Sequence, residues 1–130
     1  MRKLLMIAVL ATAAGCSSGG VPLENLPPVG TIWFGASFDA TTFAITGQST
    51  TFAQGDKLVM VAHFTRVVPS GQGFNFVVDR TPIKAVTATA DTDVYGLALT
   101  SALLPLGTHA FEVDDAGGNA LASGTLTITP

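Results

Sequence analysis

Residues 57–65, KLVMVAHFT, decide the fold. Successive side chains of an extended strand point to opposite faces. Leu58, Met60, Ala62 and Phe64 therefore share one face, and Val59, Val61 and His63 share the other. Both faces are largely apolar, which predicts a central strand whose second face is partly covered. Gly55-Asp56 turns the chain into this strand and Pro69-Ser70-Gly71-Gln72-Gly73 turns it out.

The same period of two continues outward in both directions. Phe74, Phe76 and Val78 alternate before a turn at Asp79-Arg80-Thr81-Pro82. A strand over Ile83 to Ala90, a polar loop at Asp91-Thr92-Asp93 and a strand over Val94 to Ser101 follow. Thr108 to Val113 alternates again, and Asp114 to Asn119 (DDAGGN) predicts a hairpin turn into a last strand from Ala120 to Thr129. On the N-terminal side, Thr31 to Gly35 (TIWFG) is a short strand with the only tryptophan. The phrase TTFA occurs at Thr41 and again at Thr50, which predicts two short strands joined by a turn at Gly47-Gln48. Helical periodicity is not sustained anywhere, and threonine with β-branched and aromatic residues suits a pleated surface. The expectation is an all-β chain, with residues 31–130 forming a β-sandwich of seven to nine antiparallel strands.

Residues 103–129, LLPLGTHAFEVDDAGGNALASGTLTIT, are similar to the closing strands of bacterial immunoglobulin-like domains, and Gln54 to Val68 looks like an early strand of that fold. The resemblance rests on Leu104, Gly107, His109, Phe111, Val113 and the turn from Asp115 to Asn119. It implies an immunoglobulin-like architecture, with His109 in the place of a corner tyrosine that hydrogen-bonds to backbone. The chain departs from antibody-type domains in lacking a cysteine pair and in carrying Trp33 in its first strand.

Ahead of this domain, Arg2 and Lys3 precede an apolar run from Leu4 to Ala14. As a helix that run rises roughly 16 Å, about half of a ~30 Å bilayer core. A basic start, a short apolar run and small residues describe a secretion signal. Ala13-Ala14-Gly15-Cys16 resembles the lipobox of bacterial lipoproteins, with Ala13 where leucine is most frequent. The resemblance implies removal of residues 1–15, a diacylglyceryl group on Cys16, and anchorage to a lipid bilayer without crossing it. Two chains suffice where one binds only reversibly. Ser17 resembles the pattern that leaves a lipoprotein free to reach an outer membrane. The alternative is an ordinary secretion signal with Cys16 as a free thiol. Residues 16–30, rich in glycine, serine and proline, read as a flexible tether.

Without residues 1–15 the basic residues are Lys57, Arg66, Arg80 and Lys84 against nine acids, a net charge of −5. Four scattered cations do not supply the basic patch that nucleic acid requires. With one cysteine, the core must hold without disulfides.

Candidate chemistry is sparse. His63 and His109 lack partners at metal-ligand spacing, and no G-x-S-x-G nucleophile elbow occurs. Asp91 with Asp93, and Asp114 with Asp115, offer oxygens of the kind calcium takes, although turns favour aspartate for its own backbone hydrogen bonds. In Trp33-Phe34, adjacent side chains face opposite ways, so one of them is expected to be exposed or to meet a partner. Two functions follow. The first is a non-enzymatic interaction or structural module of the cell envelope, requiring no cofactor or metal and meeting an envelope protein or glycan. The second is recognition of carbohydrate or calcium through Trp33 and the acidic loops.

Overall fold

The computed structural model of the chain describes residues 9–16, 25–100 and 104–130. The leader residues 1–8, with Arg2 and Lys3, and the tether residues 17–24 lie outside the described residues, as do residues 101–103. The described residues form eleven strands: β1 (Val9–Cys16), β2 (Thr31–Gly35), β3 (Ser37–Phe38), β4 (Ile45–Thr46), β5 (Thr51–Ala53), β6 (Lys57–Val68), β7 (Gly73–Val78), β8 (Thr81–Thr87), β9 (Thr92–Thr100), β10 (Gly107–Asp115) and β11 (Ala120–Thr129). Nine make one sheet in the order β1-β9-β6-β2-β11-β10-β7-β8, with β5 beside β11; β3 and β4 pair separately. The fold is an all-β sandwich in which the large sheet curls over itself.

The curl follows from where the large side chains lie. Phe74 and Phe76 on β7 meet Tyr95 on β9 with ring centroids 5.3 and 5.6 Å apart, and Phe74 meets Phe64 on β6 at 5.2 Å. These strands are far apart in sheet order, so the contacts exist only because the sheet turns back on itself. Edge-to-face geometry, as at Phe64–Phe74 and Phe34–Phe111, adds to area burial.

β6 is central, as the alternation predicts. Leu58, Met60, Ala62 and Phe64 lie in the main core. Val61 belongs to a second cluster with Leu26, Phe43 and Val94, against which Phe38 and Ile45 pack. The second face is thus covered by the β3–β4 pair and by the segment just before β2. Asn25 to Gly30, expected as the end of a tether, lies against the domain. Leu26 is buried, Gly30 donates to the His63 carbonyl at 2.7 Å, and the His63 ring donates through Nδ1 to the Pro27 carbonyl at 2.8 Å.

Three details differ from expectation. First, the pairing is not wholly antiparallel, because β11 runs parallel to both β2 and β5. Second, the two TTFA copies do not form a hairpin. At the first copy, the Asp39 carboxylate accepts the Thr41 and Thr42 amides at 2.7 and 3.0 Å, which closes a turn and puts Phe43 at φ 61° with its ring buried. The second copy extends along β11 instead. Asparate-type capping two residues ahead of the first copy, absent ahead of the second, separates the two outcomes. Third, Thr92 and Asp93 open β9 rather than sitting in a loop, and Val9–Cys16 pairs antiparallel with β9 from Cys16↔Val94 to Val9↔Leu99.

Gly96 shows how tightly the second face is closed. A Cβ there would lie 2.4 Å from the Phe38 ring. Gly96→Ala is therefore expected to displace Phe38 and destabilise the fold by about 1–3 kcal/mol in urea unfolding. Adding Phe38→Leu should recover part of that loss.

Candidate functional site

Trp33 lies on β2, paired with Val61 of β6. Phe34 is buried, whereas Trp33 is half-buried. Beside Trp33 runs a groove of about 530 Å³, lined by Ile32, Trp33, Phe34, Gln48, Ser49 and Thr50. Ser49 ties the groove's rim to the strand, since its amide donates to the Phe34 carbonyl at 3.0 Å. Its hydroxyl is engaged within its own turn, donating to the Thr51 carbonyl. An aromatic ring beside an amide and hydroxyls can offer stacking and hydrogen bonds to a polar ligand.

The four aspartates do not converge on one centre. Among the described residues no three His, Cys, Asp or Glu side chains group as a metal site. The Asp91 carboxylate accepts the Ser70 amide at 3.2 Å. Asp115 is buried and fully engaged: Arg66 donates to Oδ2 at 2.5 Å, and the Gly117 and Asn119 amides donate to Oδ1 at 2.9 Å. Arg66 reaches it because β6 leaves regular pairing with β9 between His63 and Val68. The Arg66 hydrogen bond is the main cause that holds the Asp115 carboxyl down at about 2, with help from the Asn119 and Gly117 amides.

Asp114 belongs to a pair that the sequence reading missed. Glu112 and Asp114 are two residues apart on β10 and share a face. A hydrogen bond with Asp114, then burial, then the charge of Asp114 push the Glu112 carboxyl up. Asp114 Oδ1 is buried without a hydrogen-bond partner. The alternation of 108–113, extended one residue further, is the signal that would have found the pair.

His109 is buried on β10. Its Nε2 is 2.7 Å from the Pro105 carbonyl and its Nδ1 is 2.6 Å from Asp79 Oδ2. Both neighbours are acceptors, so a doubly protonated ring satisfies both and a neutral ring only one. Burial raises the Asp79 carboxyl, but the hydrogen bonds from His109 and the Ala110 amide, with the His109 charge, outweigh it and hold it below its ordinary value. Asp79 and Arg80 have φ of 50° and 69°. The two-residue β7–β8 turn thus uses a conformation that side chains disfavour, and Asp79 pins it to β10.

No protein-family model and no curated protein matches the sequence. Among solved structures, the chain is similar to a lytic polysaccharide monooxygenase of Jonesia denitrificans, at 15% identity and a TM-score of 0.36. The match covers 69% of this chain and 64% of that one, so less than two thirds of the enzyme's length is spanned. A likeness of that size bears on neither fold nor activity.

The acidic groups predict opposite pH responses. The Asp115 contribution is full above the ordinary carboxylate range and is lost as pH falls from 3.8 towards about 2. Arg66→Gln should raise the Asp115 carboxyl and move the acid-unfolding midpoint to higher pH. Glu112, with a raised carboxyl, favours the fold most when protonated and less as pH rises through its folded-state value. Glu112→Gln should flatten that decline and raise stability at neutral pH slightly. Thermal unfolding from pH 2 to 8 checks both.

Proposed function

We propose that the chain is a lipid-anchored cell-envelope protein whose sandwich acts as a non-enzymatic interaction or structural module on the extracytoplasmic side of the cell membrane or outer membrane. The observation that carries this reading is Ala13-Ala14-Gly15-Cys16 after a short apolar run with a basic start, Cys16 being the only cysteine. No helix among the described residues is long and apolar enough to cross a membrane. Support for a binding rather than chemical role comes from how the polar side chains are employed. His63, His109, Asp79 and Asp115 each close a turn or tie a segment to the sheet.

A second reading is recognition of carbohydrate at the Trp33 groove, favoured by the half-buried tryptophan beside Gln48, Ser49 and Thr50. Calcium gains no such support, since Asp115 already spends its oxygens on Arg66 and the turn amides.

Intact mass of the protein from its native membrane tests the anchor. The expected species starts at Cys16 and carries a diacylglyceryl group, and it disappears in Cys16→Ala. An unmodified soluble product would overturn the anchor and leave a secreted domain. For the second reading, soluble glycans should shift the emission of Trp33, the only tryptophan, and Trp33→Ala should abolish binding by an independent assay. A panel of envelope glycans leaving the emission unchanged would discard it.

A further inference from the structure

The two ends of the large sheet are unlike one another. At one end β8 carries Pro82 and Lys84, and its pairing with β7 shifts register between Phe76 and Val77. Proline, lysine and irregular pairing are the devices by which edge strands refuse new partners. At the other end β9 (TDVYGLALT) has no proline and no lysine, and its only charged residue is Asp93 near its start. Among the described residues that edge is covered by β1 alone, in antiparallel pairing from Cys16↔Val94 to Val9↔Leu99. β1 lies within the leader and ends on Cys16. Removal of residues 1–15 therefore takes away the cover from Val94 to Leu99 and exposes an uncharged stretch of strand edge.

We propose that in the processed protein the vacated β9 edge pairs antiparallel with the β9 edge of a second copy, joining two sandwiches through one continuous sheet. This rests on the reading that the leader is removed. Three observations favour a second copy as the occupant. The edge already accepts an antiparallel strand in this chain, and antiparallel is the sense that a twofold axis imposes on two identical strands. A dyad through Gly96 opposes Val94 to Ala98 and Tyr95 to Leu97, so that core-facing residues stay on one side. The two Asp93 carboxylates then lie at opposite ends of the pairing, roughly 20 Å apart along the strands, so no like charges meet across it. Anchorage would add to this, because copies held on one membrane surface meet at raised effective concentration.

The test compares protein purified in detergent from its native membrane with the Cys16→Ala chain, which keeps its leader under this reading. Sedimentation and backbone amide exchange are measured on both. The expected result is a dimer for the processed protein, with concentration-dependent protection of the β9 amides directed away from β6, and a monomer for Cys16→Ala. Excess synthetic peptide of residues 9–16, with serine for Cys16, should dissociate the dimer. A processed protein that sediments as a monomer would overturn the proposal. So would a dimer whose outward β9 amides exchange freely, equal dimerisation of the Cys16→Ala chain, or a different polypeptide protecting β9. Intact mass of the same samples separates the two failures: a chain beginning at Met1 sinks the anchor, whereas a lipidated monomer sinks only the pairing.

Discussion

Burial of both faces of β6 is the constraint on which the rest of the structure depends. A strand with apolar side chains on each side needs cover on each side, and a single flat sheet supplies it on neither. The main face is covered by the curl that brings Phe74 and Phe76 of β7 onto Phe64 and Tyr95. The other face is covered by smaller pieces: Leu26 ahead of β2, and Phe38, Phe43 and Ile45 in and around the β3–β4 pair. The small second sheet is the lid on the outer face of β6 and β9.

The buried polar groups make the curl definite. Each ties a turn or an entering segment to the sheet, and each has at least one backbone partner. His63 holds the segment entering β2, Asp115 closes the β10–β11 turn, and His109 with Asp79 joins the β7–β8 turn to β10. Buried polar groups left unpaired are costly, so paired ones specify a single arrangement. Asp114 Oδ1 is the exception among the described residues, and it sits beside a Glu112 whose carboxyl is pushed towards its protonated form.

Much of this was legible in the sequence. The period of two over Lys57 to Thr65 reports directly on burial, and the DDAGGN turn on the join between β10 and β11. What was not legible depends on long-range partners. The two TTFA copies are identical in sequence, and only the Asp39 cap and the β11 edge assign them different structures. Parallel pairing of β11 with β2 and β5 leaves no local trace, because alternation is the same in either sense. The Trp33 groove needed Gln48, Ser49 and Thr50 to come alongside β2, which spacing in the chain does not reveal. The aspartates were visible as a class, whereas the capture of Asp115 by Arg66 required the irregular end of β6.

The outer face of β6 is a second core that unfolds with the first. Phe43 tests this most directly, being buried at 1% exposure in that cluster and remote in sequence from β6. In urea unfolding followed by both fluorescence and circular dichroism, Phe43→Ala should cost about 3–5 kcal/mol in one transition shared by both probes. A loss under about 1 kcal/mol, within the range of an ordinary surface change, or a separate early transition, would mean that the lid is an appendage and that β6 does not require it.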